Sequence, residues 1–103
     1  MWAQLITARI KPDRAGDLPN LAEQLKATEQ PNSGLVQSMM MLDQNDPSRA
    51  YMLVVFESQE KARARESDER RQEGLAEVRA LMGEIFDGAP EFVDLNIVEE
   101  WTP

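Results

Sequence analysis

The sequence predicts a ferredoxin-like α+β fold, a four-stranded antiparallel sheet with helices on one face, and three observations carry that prediction. The 103 residues suit one domain spanning 1–103, with no linker, internal repeat or low-complexity segment. Apolar residues alternate between strand-like and helix-like spacing in the order strand, helix, strand, strand, helix, strand, which is the split βαβ arrangement. The strands are also apolar on both faces, where two helices can cover only one.

Trp2 to Ile10 reads as the first strand, closed by Lys11-Pro12-Asp13. Its even positions, Trp2, Ile6, Ala8 and Ile10, form the more apolar face, interrupted by Gln4. Leu18, Leu21, Ala22, Leu25 and Thr28 then fall on one helical stripe. Pro19 belongs in the first turn, since deeper in the helix it removes a backbone hydrogen bond and clashes with the preceding turn. Asp17 is therefore the expected N-cap, and Pro31 forces a stop near Gln30. Asn32-Ser33-Gly34 turns into a second strand, Leu35 to Leu42, which contains Met39, Met40 and Met41 in succession. Asp43 to Ser48 is a polar turn and Ala50 to Phe56 a third strand, so the two strands make an antiparallel hairpin. Ser58 is the expected N-cap of the next helical region, with Glu60 in its first turn where it complements the helix dipole. That region is charged from Lys61 to Glu73 and amphipathic from Leu75 to Ile85; Asp87-Gly88-Ala89-Pro90 ends it, and Phe92 to Trp101 is the last strand.

The two-faced sheet predicts a partner. In the third strand Leu53 and Val55 oppose Met52, Val54 and Phe56; in the second, Val36, Met40 and Leu42 oppose Leu35, Met39 and Met41; in the last, Phe92 and Val98 oppose Val93, Leu95 and Ile97. Leaving about six such side chains in water forfeits roughly 9–18 kcal/mol, at about 1.5–3 kcal/mol each. A domain's whole stability is about 5–15 kcal/mol. A second sheet must cover the open face, and the simplest source is another copy of the chain around a two-fold axis, making a homodimer.

Composition removes several function classes. The net charge of −8 opposes binding to nucleic acid or to an anionic membrane surface. Glu84, Asp87, Glu91, Asp94, Glu99 and Glu100 have no base among them and read as a solvated surface. No apolar run approaches the roughly 20 residues of a membrane span. Met1-Trp2-Ala3-Gln4 lacks the character of a signal peptide, so the expected location is cytoplasmic. The absence of cysteine excludes disulfides and thiol chemistry. The absence of histidine excludes the commonest general base and haem or zinc ligand, so no metal or cofactor is expected.

Strand order, length and the two-faced sheet resemble the antibiotic biosynthesis monooxygenase-like family of dimeric α+β barrels. The stretches that carry the resemblance are Ala8-Arg9-Ile10-Lys11-Pro12, Leu42-Asp43-Gln44-Asn45-Asp46-Pro47 and Phe56-Glu57-Ser58-Gln59-Glu60-Lys61-Ala62. The resemblance implies two sheets packed face to face in a dimer and a pocket between each sheet and its own helices. It also implies either a cofactor-independent monooxygenase acting on an electron-rich aromatic molecule or a haem-degrading enzyme, and the missing histidine disfavours the second. The better-known catalytic sets of that family use an Asn on the first strand and a Trp late in the third, where this chain has Ile6 and Phe56. No catalytic residue is therefore carried over. A non-catalytic dimeric module binding a hydrophobic metabolite is the alternative, and whether the chain is an enzyme stays open.

The candidate substrate-binding residues are Gln4, Phe56, Met40 and Arg65. Gln4 either orients a substrate by hydrogen bonding or sits at a solvated sheet edge. Met39, Met40 and Met41 either line an adaptable pocket or serve as core and dimer packing. Phe56 either stacks on a flat substrate or packs in the core. Arg63 and Arg65 either hold an anionic group at the pocket mouth or form a solvated helix surface. Tyr51 reads as a structural hydroxyl, Asp43 and Asp46 as turn formers, and Trp2 and Trp101 as packing at the dimer barrel or pocket rim.

Overall fold

In a computed structural model describing residues 1–103, the strands are β1 (Trp2–Arg9), β2 (Leu35–Leu42), β3 (Arg49–Phe56) and β4 (Glu91–Asn96). The helices are α1 (Leu18–Ala27), α2 (Gln59–Glu66) and α3 (Glu69–Ile85). The sheet runs β2-β3-β1-β4, with every pairing antiparallel. This is the ferredoxin-like order, with the last strand beside the first and the central hairpin on the other side.

Strand parity decides what faces the helices. Trp2, Gln4 and Ile6 on β1 stand opposite Phe56, Val54 and Met52 on β3 and opposite Asn96, Asp94 and Phe92 on β4. Those positions share the helix side. The other side carries Leu5 between Leu53 and Val93, and Ala3 between Val55 and Leu95, with Met39 extending the first row across β2. No helix covers this second, apolar face.

Local chemistry departs from the sequence-based expectations at five points. Asp17 does not cap α1: a 3-10 turn over Ala15–Asp17 leaves it helical, and its carboxylate pairs with the Arg14 Nε at 2.7 Å instead. An N-cap needs extended backbone, which that turn removes. The helix also stops at Ala27, short of Gln30, because the Thr28 hydroxyl donates to the Leu25 carbonyl at 2.7 Å and closes the last turn. The single charged helical region divides in two: Asp68 takes extended geometry, accepts from the Arg70 N–H at 3.0 Å and starts α3 afresh. Ser58 caps α2 as expected, accepting from the Lys61 N–H.

The remaining two departures concern strands. Pairing shifts between Leu35 and Gln37, so Val36 bulges out and Leu35 joins the helix side with Met40, although simple alternation opposes them. Strand β4 ends at Asn96 rather than Trp101 because Asn96 already stands opposite Trp2; beyond it only the Ile97 N–H finds the Met1 carbonyl, at 3.3 Å. Trp101 is left 81% exposed.

Helices α1 and α3 pack closely where Gly74 meets Thr28. A Cβ at residue 74 would lie 3.1 Å from the Thr28 methyl, so a larger residue would force the helices apart. That approach places the end of α1, with Glu29, beside the start of α3, with Arg71.

Candidate functional site

The helix-side core divides into two clusters. One gathers Leu21, Val78 and Ile85 with their neighbours, the other Trp2, Val54, Phe56 and Ala62. Members of both line a cavity of about 590 Å³, and a smaller one of about 260 Å³ adjoins it along Ile6, Leu25, Met40, Met52, Met82 and Phe92. The larger volume falls in the range of about 300–1,000 Å³ usual for small-molecule pockets.

The sheet supplies an aromatic and apolar floor. Phe56 is 4% exposed, and its ring lies 6.1 Å from that of Trp2 at a tilt of 47°. Ile6, Met40, Met52 and Val54 continue the floor, and Phe92 stands at its β4 side. Twelve of the 19 lining residues are hydrophobic, so an occupant gains mainly by leaving water.

One end is charged. Arg65 grips Glu29 through three hydrogen bonds of 2.8, 3.1 and 3.2 Å, with both side chains largely buried. The same guanidinium sits 5.3 Å above the Phe56 ring, a cation–π arrangement. Burial pushes the Glu29 carboxyl up, but hydrogen bonds from Arg65 and Ser33 and the Arg65 charge outweigh it and hold the group below the usual carboxylate range. Glu29 is thus a carboxylate at neutral pH. Arg71 lines the same end with its Nε buried and without a hydrogen-bond partner; burial first, then the Arg65 charge, push its pKa down.

A polar chain borders the floor. The Gln4 amide donates to Asp94 at 3.0 Å, Asp94 accepts from Arg63 at 3.1 Å, and Arg63 also pairs with Glu66 at 3.0 Å while covering the Trp2 ring at 5.3 Å. Asp94 is therefore a structural member of this chain rather than a purely solvated acid.

The fold brings Gln4, Phe56, Met40 and Arg65 together on one cavity. Gln4 is not at an edge, since β1 lies between β3 and β4, and its amide oxygen keeps its acceptor capacity. The three methionines separate: Met40 lines the cavity, while Met39 and Met41 stand on the open face at 38% and 39% exposure. Neither Arg63 nor Arg65 is a free cation, because each already holds a carboxylate. Tyr51 donates to Asp43 at 3.0 Å and is structural. Asp43 and Asp46 accept from backbone N–H groups of their own turn, and no group of three or more potential metal ligands forms anywhere. Sequence reasoning missed Glu29 and Arg71. Periodicity gives no sign of them, since their roles depend on where the ends of two helices meet.

Neither a protein-family model nor a curated relative matches the sequence. Solved structures do match in shape. A putative antibiotic biosynthesis monooxygenase of Nitrosomonas europaea superposes with a TM-score of 0.75 at 12% identity, over 96% of this chain and 100% of that one. One so named from Chloroflexus aurantiacus gives 0.67 at 23% identity, over 99% and 98%. A conserved protein of Methanosarcina mazei gives 0.72 at 14%, over 92% and 91%. At these identities the likeness is one of fold. The chain has the ferredoxin-like fold of the antibiotic biosynthesis monooxygenase-like proteins along nearly its whole length.

Proposed function

We propose that this chain is a member of the antibiotic biosynthesis monooxygenase-like family, and that its cavity binds an electron-rich aromatic molecule for oxidation by dioxygen without a cofactor. The observation that carries the reading is the cavity itself, an aromatic-floored space closed at one end by charged groups, in a fold shared with proteins so named. An anthrone serves as the model substrate. Loss of a proton from its ring carbon gives an anion; that carbon forms a bond to dioxygen, and the hydroperoxide loses water to leave a quinone. One oxygen atom enters the product and the other leaves as water, so the substrate supplies all the electrons. The protein supplies orientation between floor and helices and the electrostatics of the charged end.

The acting unit in this reading is a homodimer joined through the open sheet face. The chain exposes 7073 Å². A folded monomer of 11.7 kDa should expose about 5,900 Å². The difference, about 1,200 Å², exceeds the roughly 800 Å² per partner of a standard interface and is enough to supply one. The radius of gyration, 14.1 Å, also exceeds the ~13 Å expected for this length.

A non-catalytic binder is the second reading, favoured by one observation: Glu29 is held as a carboxylate by Arg65 and Tyr51 is bonded to Asp43, leaving no evident proton shuttle in the cavity. Oxygen uptake with a panel of naphthols and anthrones, aerobic against anaerobic, separates the two. Oxygen-dependent turnover supports the oxygenase; saturable stabilisation without turnover leaves the binder.

A further inference from the structure

The charged groups around the cavity are not all in contact with a partner, although Arg63 holds both Glu66 and Asp94. Lys26 pairs with Glu23, Glu66 with Arg63, and Arg65 with Glu29. Arg71 forms no ion pair, and its Nε is buried with nothing to accept from it. A half-buried guanidinium without an acceptor is a liability to the fold, because each buried donor left unmade has lost its water. Near the start of α3, Arg71 feels Glu29 and Glu66 through space, but neither carboxylate hydrogen-bonds it, since Arg65 and Arg63 hold them.

We infer that Arg71 binds the carboxylate of a planar aromatic acid seated in the cavity. This rests on the reading that the cavity takes a small molecule, and it narrows that molecule to a monoanion. Of the three cations on the lining, Lys26, Arg65 and Arg71, only Arg71 holds no carboxylate, and one guanidinium suits one carboxylate. A phosphate ester, near −2, would face Glu29 and Glu66 on the same lining with only that single cation to answer it. A carboxylate is ionised at neutral pH and offers two oxygens to the guanidinium fork, whereas a phenol is neutral there and offers one. The rest of the ligand meets the apolar floor of Phe56, Trp2 and Met52, which suits a flat hydrocarbon body.

Calorimetric titration of the full chain at neutral pH with 9-anthracenecarboxylate and with neutral 9-anthracenemethanol tests this. The wild type should bind the acid at least about tenfold more tightly than the alcohol. Arg71→Gln should erase that preference by weakening the acid alone, and Arg71→Lys should restore part of it. Without ligand, Arg71→Gln should melt no lower than wild type, whereas a merely structural arginine would lower the melting temperature. Equal affinities in the wild type, or an Arg71→Gln protein that still prefers the acid, would overturn the inference. Binding of the alcohol with exclusion of the acid sinks the inference and leaves the cavity reading standing. Binding of neither probe sinks both.

Discussion

Replacing Leu53 by aspartate places the proposed two-fold interface under its most direct test. Leu53 lies inside the row Met39–Leu53–Leu5–Val93, away from both edges of the open face. In a face-to-face dimer the substitution occurs twice. Each copy forfeits the burial of a leucine side chain, about 1.5–3 kcal/mol, so the dimer loses about 3–6 kcal/mol before any charge term. A carboxylate buried against an apolar sheet adds an effective penalty of several kcal/mol. The leucine loss alone raises the dissociation constant by about 10²- to 10⁴-fold. The free monomer should keep its fold, because the residue stands on the side away from the helices. Sedimentation equilibrium at micromolar concentration, with circular dichroism as the fold check, reads both quantities. An aspartate variant that remains a dimer with unchanged affinity, or a wild type that sediments as a monomer, refutes the placement of the interface.

Three further substitutions address the charged end and the helix starts. Arg65→Gln should cost about 1.5–3 kcal/mol by stranding the largely buried Glu29, seen as a lower urea midpoint. The pH dependence follows from the sign of the Glu29 shift. Its folded pKa lies below the ordinary 4.5, so its stabilisation is complete above that value and is lost as pH falls through the lower folded pKa. The variant should therefore show a shallower loss of stability on acidification, and an unchanged acid limb would contradict the pairing. Ser58→Ala should cost about 1 kcal/mol through the lost cap on α2. Asp17→Ala should shift the midpoint little, because that carboxylate caps nothing and makes only a partly exposed pair with Arg14.

Much of this architecture was legible because it depends on local periodicity. The even positions of β1 announce the helix side, and the same parity carries Gln4, Met40 and Phe56 to one cavity. Arg65 joined them through the position of its helix after the third strand. Legibility failed where a competing local bond intervened. The bulge at Val36 reverses the side of Leu35, and the 3-10 turn takes Asp17 out of capping geometry. The break before α3 was hidden in a run of charges with no apolar period to interrupt, although Ser67-Asp68 offers a cap. Glu29 and Arg65 are 36 residues apart, and no spacing rule joins them. Only the crossing of the helices does.

The bulge at Val36 has a consequence for how large an assembly can grow. Stacking two sheets does nothing to close the outer rims of β2 and β4, and unpaired rims invite further strands to add. On β2 the ladder is broken by the outward step at Val36, so an incoming strand finds no unbroken register to copy. On β4 the rim is only six residues long, follows Pro90, and carries Glu91 and Asp94 on opposite sides. Lateral growth into ribbons is thereby discouraged at both rims, and the proposed face-to-face pair would be a terminus rather than the first step of a fibre.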